Sequence, residues 1–298
     1  MSRPPTVGFI GIGKMGWPMA RRLAPDYDLV VADASEARVA DFVADGKARR
    51  ARDPAALARE CGVLILMLPT SAVVAHVMSG AAGVLAGLQP GAIVVDMGSS
   101  VPSETQALAQ VLAGAGAVLI DAPVSGGVAR AETGDLAIMA GGAEAAIAAV
   151  RPMLLRMGSQ VMRTGGVGSA HAMKALNNLA SAAGLLIALE ALAVGAKFGL
   201  EPATMVDVLN ASTGMNNATQ KKLKQFVLSR RFDAGFGLDL MVKDLGIAGE
   251  LARQTGAAAP FSGLCRELWA GAQQMLGPGR DHTEIARLVE TLAGVELR

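Results

Sequence analysis

Lys174, Asn177 and Asn178 fall in the stretch "MKALNN" from Met173. They stand at i, i+3 and i+4, so a helix brings all three to one face. A lysine so placed has the makings of a proton carrier. Burial or a neighbouring cation draws a lysine pKa from about 10.4 towards about 7 to 8, where it exchanges protons at cellular pH. A surface lysine beside two turn-capping asparagines accounts for the same spacing, and spacing alone does not choose between the two.

A second pattern lies far upstream. "GIGKMG" sets Gly11, Gly13 and Gly16 as G-x-G-x-x-G between a strand-like run and a helical one. The first glycine permits a tight turn, the second lets the backbone approach a pyrophosphate, and the third lets helix and strand pack closely. A chain with 36 glycines produces such triplets by chance, and a plain strand-to-helix turn, with Asp33 capping the next helix, is the simpler account. Asp33 tips the balance towards a dinucleotide, because it closes the second strand where a carboxylate takes the ribose hydroxyls. Ala34 and Ser35 follow it, with no arginine directly after. A 2′-phosphate is repelled there, so NAD is expected over NADP, with Arg38 as the one nearby cation in NADP's favour.

Other chemistries fall away on residue types. Tyr27 is the only tyrosine, which removes the tyrosine-and-lysine pair of short-chain dehydrogenases. His76, His171 and His282 have no cysteines beside them, so no zinc site is expected. A lone histidine in an alanine-rich segment is more often structural, although His76 and His171 are conceivable proton carriers. Cys61 and Cys265 are too few and too far apart for a disulfide framework, which fits a reducing cytoplasm. Net charge of +1 and 3% aromatic residues offer neither a basic face nor stacking rings for nucleic acid. The N-terminal stretch, broken by glycines, does not read as a secretory leader. Leu179 to Ala196 is apolar enough to span a bilayer, but Glu190 inside it, with Lys174, Asn177 and Asn178 before it, is expensive in lipid. A buried helix of a soluble protein is expected, with no membrane partner.

The elements that must carry these residues are legible in outline. The first half alternates short β-branched runs with alanine-rich helical patterns, the mark of a parallel sheet with crossover helices. Strands are expected at 6–10, 29–33, 63–68, 92–96, 118–121, 136–140 and 160–163. Asp53 before Pro54, and Ser100 to Ser103 around Pro102, place an acceptor and a proline where a first helical turn wants them. After "TGGVGSA" the period becomes helical nearly to the end, so a boundary is expected near Gly165, with Gly166 and Gly168 as a flexible joint. The expected organisation is a doubly wound α/β domain over 1–164 and an all-α domain over 165–298.

Five stretches, "GFIGIGKMGWPMA", "MLPTS", "DAPVSGG", "GSAHAMKALNN" and "KDLGIA", stand in the order seen in β-hydroxyacid dehydrogenases, the group of 3-hydroxyisobutyrate dehydrogenase and tartronate semialdehyde reductase. The resemblance spans nearly the whole chain. It implies an N-terminal Rossmann domain, a long connecting helix, and a helical C-terminal domain that mediates assembly as a homodimer or homotetramer. By similarity Lys174 matches the catalytic lysine and Asn178 the substrate-orienting asparagine, with Asn177 beside it. Ser125, Gly126 and Gly127 match the segment that holds the substrate carboxylate; a flexible turn is the plainer reading of those glycines. Gly11, Ile12, Gly13, Lys14, Met15 and Asp33 match the cofactor-binding turn, Leu68 and Pro69 line the cofactor, Ser99 reaches the nicotinamide side, and Lys243 lies near both cofactor and substrate. Lys14 stands where asparagine is common, and Gly98 where serine or threonine often precedes Ser99. The implied activity is NAD-linked hydride transfer on a small β-hydroxy acid, with a semialdehyde reductase as the nearest alternative. Imine reductases usually replace the lysine, and a non-catalytic nucleotide sensor would not need it. Side-chain specificity is expected from "STGMNN" (Ser212 to Asn217) and Phe236.

Overall fold

The computed structural model describes residues 5–298. The chain divides into two compact units at Lys174/Ala175. In the first, nine strands form one sheet: β1 (Thr6–Ile10), β2 (Asp28–Ala32), β3 (Arg49–Arg50), β4 (Val63–Leu66), β5 (Ile93–Asp96), β6 (Val118–Asp121), β7 (Val124–Ser125), β8 (Leu136–Gly141) and β9 (Gly158–Gly165). The order is β3-β2-β1-β4-β5-β6-β8-β7, with β9 also on β8.

Alternate residues of the central strands feed two separate cores. Phe9, Val31, Ile65, Val95 and Ile120 belong to one, whereas Ile10, Val30, Leu64, Val94 and Leu119 belong to the other. This period of two explains why these strands read as unbroken apolar runs: both faces are covered by helices. β1 pairs β2 on one side and β4 on the other, so the winding reverses there. Loops leaving the strand C-termini at such a reversal form the crevice where α/β sheets take ligands.

The sheet is not parallel throughout. β6 and β7 both pair β8 antiparallel. β3 and β7, two residues each, were not expected, since runs that short carry no periodicity. Asp53 caps the helix Pro54–Glu60 by accepting from Ala56 N–H, as its place before proline implies. The helix Pro102–Gly114 starts from Val101 without a side-chain cap; Ser100, read as capping material, instead donates to Asp96 Oδ2 at 2.8 Å.

The second unit is helical. Its spine is the helix Ser169–Phe198, whose first turns belong to the first unit. Ala182, Leu185, Leu189 and Leu192 pack into a core with Leu223, Val227, Met241, Leu245, Trp269 and Ile285. Thus the longest apolar stretch in the chain, sufficient in length and composition to cross a membrane, serves as the core helix of this unit. Helices follow at Pro202–Asn210, Asn217–Lys221, Leu238–Thr255, Pro260–Leu276 and Ile285–Ala293, with a π-helical segment Leu223–Leu228 between the second and third.

Candidate active site

Each glycine of the β1 turn meets a different steric demand. Gly11 has φ +95°, and a Cβ on it would lie 2.4 Å from Met67 O. A Cβ on Gly16 would lie 1.9 Å from Gly11 O, so this glycine lets helix Gly16–Leu23 close on the turn. A Cβ on Gly13 would meet nothing within 4 Å. The middle position therefore needs no glycine for the fold, and its open space is what a closely approaching pyrophosphate requires. Ile12 N–H donates to Asp33 Oδ2 at 2.9 Å, and Ser35 N–H to Asp33 Oδ1 at 2.9 Å, so the acid and the glycine turn are one piece. Arg38 Nη1 rests 3.0 Å from Asp33 Oδ1. These residues fit a dinucleotide.

Exposed Lys14 opens a groove of about 580 Å³ that continues past Trp17, Arg21 and Arg22 to Val128, next to Gly127. Leu68 is buried and Pro69 exposed after β4. Ser71 Oγ accepts from Val101 N–H at 2.7 Å, tying this loop to the one bearing Ser99. Gly98 now has a reason: a Cβ there would lie 2.5 Å from Leu68 O. Ser125 ends β7, and Gly126 (φ 142°) and Gly127 (φ 70°) open the helix Gly127–Thr133. Positive φ at both places these glycines where other residues strain, and Gly127 has open space around it.

The entry to the long helix is clamped. Fully buried Asp121, at the end of β6, accepts from the backbone N–H groups of Gly168 at 2.8 Å, Ala170 at 2.8 Å and His171 at 2.9 Å. A carboxylate satisfying three first-turn donors is a strong cap, reinforced by the helix dipole. Gly141 makes the room, since a Cβ on it would come within 2.5 Å of Asp121 Oδ1. Gly166 and Gly168 are therefore no loose joint; the turn they form is pinned to the sheet. His171, fully buried, puts Nδ1 2.8 Å from Thr105 Oγ1. That hydroxyl also donates to Val101 O at 3.1 Å, and His171 Nε2 faces Asp96 Oδ2 at 3.8 Å. His171 is thus a structural histidine on the anchored turn that precedes Lys174.

Lys174 and Asn178 are both buried, one helical turn apart. Asn178 Nδ2 donates to Asp244 Oδ2 at 2.5 Å, and Asn177 Nδ2 lies 3.3 Å from Asn178 Oδ1. Lys243 Nζ sits 3.3 Å from Asp244 Oδ1. Asp244, which follows Lys243 in "KDLGIA", is a site residue the sequence did not reveal, because its partner Asn178 lies 66 positions away and no local pattern ties the two together. "STGMNN" is not free to line a pocket throughout, because Asn216 caps the helix Asn217–Lys221 and donates to Gly184 O at 3.2 Å.

Comparisons with known proteins bear on the family and the fold. Residues 6–166 match the family model of the NAD-binding domain of 6-phosphogluconate dehydrogenase, and residues 168–289 that described as the NAD-binding part of NADP-dependent 3-hydroxyisobutyrate dehydrogenase. The chain is 36% identical over 299 residues to 2-(hydroxymethyl)glutarate dehydrogenase of Eubacterium barkeri, covering 100% of this chain and 99% of the relative. It is 35% identical over 276 residues to the mitochondrial 3-hydroxyisobutyrate dehydrogenase of Mus musculus, covering 90% and 82%. Among solved structures, Mycobacterium tuberculosis 3-hydroxyisobutyrate dehydrogenase with L-serine superposes with TM-score 0.87 at 28% identity, covering 97% of this chain and 99% of that one.

Proposed function

Because the chain belongs to the β-hydroxyacid dehydrogenase family, we propose that it moves a hydride between NAD and a small β-hydroxy acid of the 3-hydroxyisobutyrate kind, with Lys174 as proton carrier. The observation that carries this reading is a buried lysine on a helix whose first turn is held by Asp121, one turn before an asparagine oriented by Asp244. Fixed geometry of this sort is what general acid–base catalysis needs.

In this reading the glycine turn and Asp33 hold the dinucleotide. Backbone N–H groups of Gly126 and Gly127, with the Ser125 hydroxyl, take the substrate carboxylate. Asn178 orients the hydroxyl, using the amide hydrogen that Asp244 leaves it. Lys174 Nζ accepts the hydroxyl proton as the carbinol carbon is oxidised; in reverse it protonates the oxygen of a semialdehyde, so the reductase alternative uses the same groups in the opposite sense. Bound nicotinamide supplies the hydride acceptor or donor. A relative solved with L-serine, itself a β-hydroxy acid, and one named for 2-(hydroxymethyl)glutarate support the substrate class.

NAD is proposed over NADP because Asp33 occupies the ribose position and already engages Arg38. Exposed Ile187, Val194 and Phe198 on the long helix, with Phe261 and Leu264, support a homodimer or homotetramer, and two free buried thiols accord with a reducing cytoplasm. The test is NAD reduction over a panel of β-hydroxy acids alongside Lys174→Ala. Turnover is expected to fall by about a hundredfold or more while NAD affinity persists; turnover that survives the substitution removes the lysine from the mechanism.

A further inference from the structure

The helical unit holds a lysine that neither proton transfer nor the cofactor uses. Lys222 lies at the junction between the helix Asn217–Lys221 and the π-helical segment Leu223–Leu228, with φ −128° and ψ −46°. π-turns of this kind recur at functional positions. Its ammonium donates to Ser181 Oγ at 3.0 Å. Burial draws its pKa down to about 8, against the pull of Asp281. That acid is already engaged: it accepts from Gly235 N–H at 2.8 Å, Phe236 N–H at 3.2 Å, Thr283 N–H at 2.9 Å and the Thr283 hydroxyl at 2.5 Å, and it faces His282 Nδ1 at 3.3 Å. Among the described residues no carboxylate lies within ion-pair distance of Lys222. An ammonium has three donors, so two remain for something the chain does not provide.

Ser181 gives that cation its meaning. Counted along the helix Ser169–Phe198, it is i+7 from Lys174 and i+3 from Asn178. At about 3.6 residues per turn and about 1.5 Å rise per residue, the three share one stripe, with Ser181 about 4.5 Å past Asn178 and about 10 Å past Lys174. The row that begins with the proton carrier thus ends in a cation lacking an anion.

We propose that Lys222, seated by Ser181, receives a second, distal carboxylate, making the preferred substrate a β-hydroxy dicarboxylate. This rests on the hydroxy-acid reading above. In HOCH2–CH(COO⁻)–CH2–CH2–COO⁻ the carbinol carbon and the distal carboxylate are four C–C bonds apart, about 5 Å, and a hydrogen bond of about 3 Å at each end brings the span to about the length of the stripe. A substrate ending in methyl leaves the half-buried ammonium with no anion to pair with and Ser181 as its hydrogen-bond partner. Discrimination against that substrate follows from the buried charge itself.

The test uses the purified full chain with NAD or NADP and three substrates that share HOCH2–CH–COO⁻: 3-hydroxyisobutyrate, 2-(hydroxymethyl)glutarate and the 5-amide of the latter. We expect kcat/KM for the diacid to exceed that for the other two at least tenfold, chiefly through KM. Lys222→Met should collapse this ratio, and Lys222→Arg should restore part of it. Equal kcat/KM for diacid and amide in the unmodified enzyme overturns the inference while leaving the dehydrogenase reading intact, and it needs no variant to fold. A Lys222→Met protein that lowers all three substrates in parallel also overturns it, as that marks a structural role. Absence of hydride transfer on all three, and on the wider β-hydroxy acid panel, overturns the parent reading and the inference with it.

Discussion

Asn178 and Asp244 stand 66 residues apart in sequence, and the amide nitrogen of one lies 2.5 Å from a carboxylate oxygen of the other, with both side chains buried. The carboxylate fixes which end of the amide points away from it, a choice that Asn178 alone leaves open. Asp244→Ala is therefore expected to lower kcat/KM about tenfold or more, mainly through KM, because a buried donor loses its partner. Steady-state kinetics beside NAD titration will check this: weakened NAD binding as the main effect would contradict it.

Gly13 and Gly16 should separate fold from function. The clash of a Cβ on Gly16 with Gly11 O at 1.9 Å predicts that Gly16→Ala lowers Tm. Gly13→Ala adds a methyl to open space and should fold with an unchanged Tm, yet bind NAD about tenfold or more weaker, because the methyl occupies the pyrophosphate's approach. Calorimetry and fluorescence titration on the same two proteins decide it. Equal NAD affinity in Gly13→Ala contradicts the assigned binding turn.

Asp33 holds Arg38 at 3.0 Å, so in the proposed reading the acid would both repel a 2′-phosphate and occupy the cation that would welcome one. Asp33→Ser is expected to shift the NADP-over-NAD ratio of kcat/KM upward by about tenfold or more, and adding Arg38→Ala should cancel most of the shift. Measured coenzyme ratios that do not move with either substitution would sink the pairing argument.

Lys222 links substrate choice to pH. Its pKa is drawn from 10.5 to about 8 by burial, with Asp281 opposing and His282 also nearby. Between those two values the unfolded chain holds the proton more tightly than the folded one, so this residue makes stability rise with pH across that interval. Below pH 8 the buried charge costs folding about 3 kcal/mol at most. Lys222→Met should accordingly raise Tm at pH 7, with the advantage shrinking towards pH 10. An advantage that is constant with pH, measured by calorimetry, would show that the gain is packing and not charge.

How much of this was readable before any coordinates existed depends on the distance over which each signal acts. The tight turn at Gly11, the close packing at Gly16 and the shared helical face of Lys174 and Asn178 all arise within one turn or one strand-to-helix step, where residue type and spacing determine geometry. Asp244 was out of reach because it acts on a residue 66 positions away. In the sequence Asp121 reads only as the end of a strand and the start of "DAPVSGG"; its partners lie 47 to 50 residues downstream, and nothing local announces that a strand-ending acid caps a distant helix. Ser100 looked like a cap because serine before proline usually is one, and a buried acid, Asp96, outbid the helix for its hydroxyl. Lys222, inside "KKLK", reads as one more solvated charge until the chain packs around it.

Asp121 also bears on the order in which the molecule is built. Its carboxylate can close on Gly168, Ala170 and His171 only after β6 has found its place beside β5 and the whole β8–β9 excursion has been laid down, because those residues lie between the two halves of the contact. The loop so closed is about 50 residues long, and the entropy of closing it must be met before the contact returns anything. The contact that anchors the turn before Lys174 is therefore one of long sequence separation, the kind that is slow to form. In the proposed reading, a nascent chain that has not passed residue 168 already contains the glycine turn and Asp33 but neither the clamped turn nor the lysine that would move a proton.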